Sequence, residues 1–489
     1  MSTAMSERWG EDLSRAADGK SVDGKLAGGL LGAGDITFMV IAVAAPMAVV
    51  VATMPIAFAL GNGLGVPGTY ALAGLAMALF AIGYVRILPH VRNAGAFYAL
   101  ISLGFGRIAG LAAAYVALIS YLALACATLG ALALFGADLV QQFTGRQPSW
   151  LIIALATVLI LALLSWFRID FTAKILAVAL TAEVVMLLLL DLAILAAPRP
   201  IHLTAALSTG AVFAPGIGVA AIYAFNSCIG FEATAIYQEE ARDRHITVPR
   251  ATYASIALIC VFYVFTAWCF TVAYGPDIVS IAQRDPGHFV TNLARAYLGR
   301  VGEVTLATLV VTSAFAAVLG LFNNAARYIF AMSRDEVLPA GLARTRTANG
   351  SPFAAGLPVL ATLSMVSLLC WYFGIDPLLG LTTSLTGLGS VGLMALLALT
   401  AFAVPCFFGL RQAGFAHTVA PALGGAMLLL GTAMSVINYP LLTGSDLPII
   451  NGLLVILPVV AVVGVVQALV LRRRDPARFA RIGSSRIGE

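Results

Sequence analysis

The chain has 489 residues, of which 61% are hydrophobic and only 10% charged, with a formal net charge of +5. Soluble domains carry about 25% charged residues, so the composition excludes a soluble globular protein and points to one embedded in a bilayer. Apolar runs of roughly 20 residues recur along the whole length, the mark of membrane-crossing helices and not of a barrel.

The first 34 residues are polar, and the first apolar run is too long for the core of a cleaved leader, so it reads as a retained span. Twelve spans are predicted, at 36–60, 69–88, 108–137, 150–166, 174–197, 213–238, 251–274, 303–333, 355–373, 379–404, 415–438 and 449–471. With the N-terminus inside, 23 of the 28 lysines and arginines fall in or beside inner loops and tails, leaving Arg146, Arg199, Arg284, Arg295 and Arg300 outside. That bias predicts that both termini are cytoplasmic, and it accounts for the basic excess without a nucleic-acid partner. The cysteines at 126, 228, 260, 269, 370 and 406 all sit in apolar segments, which argues for packing residues and against a disulfide framework.

Span 1 reads ITFMVIAVAAPMAVVVATMPIAFAL, with Pro46 mid-span and Pro55 nine residues later. Proline removes a donor and clashes with the preceding turn, so a break or kink is expected near 44–48. The inner segment at 86–107, RILPHVRNAGAFYALISLGFGR, mixes proline, glycine, charge and aromatics. Span 5 carries Glu183 about nine residues into an apolar helix, a depth at which ionisation is costly. It reads either as a proton carrier or cation ligand, or as a protonated structural carboxyl bonded to a neighbouring helix. Asp191, near the outer end of the same span, reads as interfacial.

Span 6 contains AAIYAFNSCIGFEATAIYQ, placing Asn226, Ser227, Gly230 and Glu232 in apolar sequence. Gly230 and the polar run before it weaken the helix, and such a break survives only where it is buried in protein or lines a watery cavity. Glu232 reads as an ion-coupling carboxyl or as a cap on the broken backbone. Glu239, Glu240, Asp243 and the arginines around them read as a solvated inner loop. The outer segment 275–300 has Val290, Leu293, Ala294 and Tyr297 at helical spacing, which predicts a short amphipathic helix over an outer vestibule. Ordinary interfacial packing explains this segment and 86–107 as well. In span 8, Thr312 and Ser313 read as packing residues, with ion ligation the alternative. Broken helices at matching places in two halves point to a transporter site at the bilayer midplane.

Three stretches resemble the amino acid–polyamine–organocation (APC) permeases. GFEATAIYQEEARDRHITVPRATY at 230–253 is similar to the family's sixth helix and following loop, with its G-[FVIY]-E-[AS] core. The 86–106 stretch resembles the loop before its third helix, and FNNAARYIFAMSRDEVLP at 322–339 resembles the end of its eighth. The resemblance implies an all-α integral membrane protein with 12 transmembrane helices in a five-plus-five inverted repeat, helices 1 and 6 being broken. The corresponding parts are an N-terminal tail at 1–34, a core at 35–410 with repeats at about 35–200 and 205–410, two peripheral helices at 411–471 and a tail at 472–489.

The resemblance further implies secondary transport of amino acids or related amines across the cytoplasmic membrane. No cofactor is expected, and the partners are substrate, protons or sodium, and lipid. Substrate contacts are expected at Ala45, Pro46, Met47 and Ala48 and at Asn226, Ser227, Cys228 and Gly230, with ion coupling at Glu183 and Glu232. Exposed N–H groups would meet a carboxylate and freed carbonyls an ammonium. Two departures stand out. AAPMAVV at 44–50 replaces the G-[ST]-G triplet of many members, and Glu183 stands where many sodium-independent members have a lysine. An intramembrane enzyme fits less well, because all five histidines lie in or near loops. A nutrient sensor that has lost transport remains the alternative of another class, although the tails are short.

Overall fold

The computed structural model describes residues 32–90, 96–167, 173–197, 206–231, 234, 243–344, 353–409, 414–443 and 448–482. Its membrane-side elements are α1 (Ala33–Ala44), α2 (Pro46–Leu60), α3 (Val66–Ile87), α4 (Ala96–Phe105), α5 (Arg107–Thr144), α6 (Trp150–Phe167) and α7 (Ala173–Ala196). There follow α8 (Ile217–Asn226), α9 (Arg244–Tyr274), α10 (Ile278–Arg284), α11 (Phe289–Arg334) and α12 (Phe353–Tyr372). The last are α13 (Thr383–Phe408), α14 (Ala420–Ile437), α15 (Ile456–Arg474) and α16 (Pro476–Arg481). Among the described residues there is no strand. Nine helices there are long and apolar enough to cross a membrane, and shorter apolar ones at Pro46–Leu60, Trp150–Trp166 and Ile217–Asn226 fall in expected spans 1, 4 and 6.

The expected interruption of span 1 is present. Pro46 has no N–H and its ring disfavours a right-handed helical residue before it. Ala45 accordingly takes φ 43, ψ 70, and Pro46 starts a new helix. Pro55 does not break α2; a π-helical turn at Val49–Thr53 just ahead of it absorbs the missing donor. Span 6 is interrupted too. Helix α8 ends at Asn226, residues 227–231 form turns, and Gly230 adopts φ 117. Glu232, Glu239, Glu240 and Arg242 lie outside the described residues.

Helix α5, 38 residues long, runs through the bundle and packs on α11, α13 and α15. Helix α1 leans on α7, α9 and α11, while α8 lies against the second half of α2 as well as α3, α13 and α14. The two broken helices therefore meet. The short helix expected in 275–300 is present: α11 has a kink at Gly299 (φ 70), and ahead of it Val290, Leu293 and Ala294 are buried. Helix α15 shows the opposite character. Val459, Val462, Val463 and Val466 are exposed along it, an apolar surface for lipid.

Two of the motif segments meet at depth. The Tyr98 hydroxyl, from the 86–107 stretch, donates to Asp335 Oδ2 at 2.6 Å, in the turn after α11, and both residues are buried. Past that turn, Glu336 is clamped by Arg478 at 2.7 Å and Arg481 at 3.2 Å from the C-terminal α16.

Candidate functional site

A cavity of about 70 Å³ opens where α1, α2 and α8 converge. Ala44, Ala45 and Ala48 form one wall, Asn226 and Ile229 another. Helices α5, α11 and α13 close it with Thr128, Ala131, Ala314, Ala317 and Thr386, while Leu124, Phe135 and Leu321 limit its width. At roughly 10–15 Å³ for each water-sized occupant, this is room for a small solute. Among the described residues that line it, none is ionisable. The polar lining is hydroxyls and one amide: Asn226 Oδ1 accepts from Ser390 at 3.0 Å, and Thr128 and Thr53 bond to carbonyls of their own helices.

The break in helix 1 redistributes backbone hydrogen bonds. Pro46 has no donor for the carbonyl of Ala42. The N–H of Ala48 goes to Ser313 Oγ at 3.3 Å, and that of Met47 goes to the Glu183 carboxylate. Only at Val49 does the ladder resume, with Val49 N donating to the Ala45 carbonyl at 3.0 Å. The carbonyls of Ala42, Val43 and Ala44 thus lose their partners along the helix, which concentrates partial negative charge at the end of α1. Glu183 and Ser313 act as a tertiary cap on the first turn of α2. A carboxyl suits that place because a helix N-terminus carries partial positive charge. The Ser313 hydroxyl donates to Glu183 Oε2 at 2.6 Å, and both residues are buried, at 0% and 3% exposure.

Of the residues expected to contact substrate, Ala45, Ala48 and Asn226 line the cavity. Pro46, Met47, Ser227 and Cys228 are buried but do not line it: Ser227 Oγ donates to the Tyr223 carbonyl at 2.7 Å, and Cys228 Sγ to that of Ala224 at 3.6 Å. Gly230 lies just beyond the lining residue Ile229. Thr312 and Ser313 separate. Thr312 is exposed and bonds to the Leu309 carbonyl, so Ser313 alone of the pair reaches Glu183. Asp191 is 0% exposed, covered where α9 packs on α7 and bonded to Thr266 of α9. Sequence reasoning missed Ser390 and Thr386. Their signal was a run of small polar residues in span 10, with Thr382, Thr386 and Ser390 four apart on one helix face.

The αL backbone at Ala45 costs about 1–2 kcal/mol for an L-residue. Ala45→Gly is therefore expected to keep substrate binding and to melt at the same temperature or higher. Ala45→Val, β-branched and on the cavity wall, should melt lower and bind at least tenfold more weakly. Thermal unfolding in detergent with and without substrate checks both.

The sequence matches the amino acid permease family over residues 31–469. The chain belongs to that family. It is thereby a member of the APC superfamily that its motifs resemble, and a multi-pass membrane transporter in kind. No curated protein sequence matches this permease. Its fold is similar to two mutant structures of the Eremococcus coleocola manganese transporter, each at 12% identity and a TM-score of 0.57, covering 91% of this chain and 98% of that one. It is also similar to a Na+-coupled sialic acid symporter in a substrate-bound, outward-open state, at 12% identity and a TM-score of 0.50, covering 85% and 91%.

Proposed function

We propose that this permease is a secondary transporter of amino acids or related amines with uncharged side chains, working in the cytoplasmic membrane by proton-coupled symport or exchange. The carrying observation is the cavity at the meeting of the two helix interruptions, lined by Ala45 from one and Asn226 from the other. The carbonyls of Ala42, Val43 and Ala44 are the acceptors for an ammonium, and the hydroxyl-lined pocket among α5, α11 and α13 takes the side chain. Glu183 is the coupling carboxyl, since it bonds to the same broken segment that substrate would touch. This reading adopts 12 spans in two inverted repeats with both termini cytoplasmic. Glu232, outside the described residues, keeps its assignment as a second coupling carboxyl.

Sodium symport is the second reading, favoured by one feature. Glu183, Ser313 and the displaced carbonyls offer only oxygen ligands, which is the donor set a hard cation takes. Uptake into proteoliposomes under an imposed pH gradient or an imposed sodium gradient separates the two. Absence of both gradient-driven accumulation and counterflow for every amino acid and amine tried would sink the transporter reading.

Charge selection follows from the lining. A charged side chain would enter a cavity with no counter-ion among the described lining residues, at a cost of several kcal/mol. Lysine and glutamate are therefore expected to compete roughly a hundredfold more weakly than alanine or serine. Equal competition by all four in a binding assay would place the side-chain pocket elsewhere.

A further inference from the structure

Asp191 is a second carboxyl buried in α7. It lies eight residues beyond Glu183, about 12 Å along the helix at 1.5 Å per residue. Its Oδ2 accepts a hydrogen bond from Thr266 Oγ1 at 2.8 Å, while its Oδ1 is buried with no hydrogen-bond partner. The Cys269 thiol lies against the same carboxyl, and it is the one titratable group acting on Asp191 among the described residues. Among the described residues, no cation faces it from α9 or from the other helices packed on α7. A carboxyl buried in a membrane helix without a counter-ion is expensive to keep unless it serves a purpose, and an unmet oxygen on it is an acceptor for a proton.

The helix opposite is patterned to match. Tyr263, Thr266 and Cys269 stand three apart on α9, a row of groups with O–H or S–H. Thr266 binds Asp191 and Cys269 lies against it; Tyr263 lies near Glu183, and its hydroxyl is also buried without a hydrogen-bond partner. The seam between α7 and α9 thus carries proton-binding or hydroxyl groups from Glu183 to Asp191. In the topology adopted above, α7 runs from the inner to the outer face, so Asp191 is the outer end of this line.

We propose that Asp191 is a second proton-binding carboxyl of the transport cycle, taking the proton from the outer side and handing it inward to Glu183 along the α7–α9 seam. The inference rests on the proton-coupled reading of Glu183. In the transfer Asp191 loses one proton and Glu183 gains one, and any hydroxyl between them accepts one and releases one, ending unchanged.

The test uses the full chain in proteoliposomes, with net uptake, internal pH from a trapped dye, and substrate counterflow measured together. Asp191→Asn keeps the size and the acceptor for Thr266 but cannot bind the proton. It should leave counterflow within about twofold of the unaltered protein. Its net uptake should fall about tenfold at external pH near 7.5, with half-maximal uptake displaced about one pH unit to the acid side, and Asp191→Glu should restore the profile. Equal loss of counterflow and net uptake at every pH would make Asp191 a structural tie between α7 and α9 and overturn the proposal. So would an unchanged pH profile in a folded Asp191→Asn. If that variant does not fold, Thr266→Val should displace the profile in the same direction by a smaller amount, and a profile identical to the parent overturns the proposal. Should the unaltered protein show no response to a pH gradient, the failure lies with proton coupling itself.

Discussion

Gly230→Leu is expected to abolish substrate binding, with affinity falling at least a hundredfold, while the protein still inserts and folds. Gly230 adopts φ 117, a backbone conformation that a residue with a Cβ reaches only under strain of about 1–3 kcal/mol. It sits one residue beyond Ile229, on the cavity wall, in the stretch of turns after α8. A leucine there can be accommodated in two ways, and both harm the site. Either the backbone leaves its conformation and carries Ile229 and Asn226 with it, or the side chain fills space beside the ligand. Gly230→Ala should lie between, with a loss of roughly tenfold, since it pays the strain without the bulk. Ligand-induced stabilisation in thermal unfolding separates lost binding from lost fold: the leucine variant should melt cooperatively but gain nothing from substrate. Binding by Gly230→Leu with unchanged affinity would place the site away from this turn.

How far these features could be read from the sequence depends on how local their causes are. The helix-1 break was legible because proline acts on the residue before it and on one backbone donor, wherever the chain folds. Gly230 was legible for a similar reason, a polar and flexible run inside an apolar one. Glu183 was visible as a carboxyl at a costly depth, but its role as a cap on α2 was not. That role needs Met47, Ala48 and Ser313, brought together from three different parts of the chain. Thr312 and Ser313 differ by one residue, about 100° of helical rotation, and only the packing of α11 against α7 decides which hydroxyl faces inward. The burial of Asp191 was not legible, because its distance from a helix end says nothing of the neighbour, α9, that covers it. Thr386 and Ser390 were hidden in plain view. Small polar residues at helical spacing are common at membrane helix contacts, so their pattern does not separate a packing face from a binding face.

Glu183→Gln is expected to uncouple transport from the proton gradient without removing the substrate site. The side chain keeps its length, and its amide oxygen can accept from Ser313 and from the N–H of Met47, so the cap on α2 survives. What it loses is the ability to bind and release a proton. With one proton moved per substrate, each unit of pH gradient can drive about tenfold accumulation, because a unit is worth about 1.4 kcal/mol. The unaltered protein should therefore concentrate substrate further as the outside is acidified, and Glu183→Gln should equilibrate it to a ratio near one at every pH. Counterflow, which needs no net proton movement, should continue in the variant. If Glu183 is instead a sodium ligand, uptake by the unaltered protein should require sodium and respond little to an imposed pH gradient, and the glutamine variant should lose the sodium requirement or fail outright. Accumulation by Glu183→Gln equal to that of the parent, with the same dependence on pH and sodium, would leave this carboxyl as a structural cap alone. The driving ion would then have to engage Glu232 or the charge of the substrate itself.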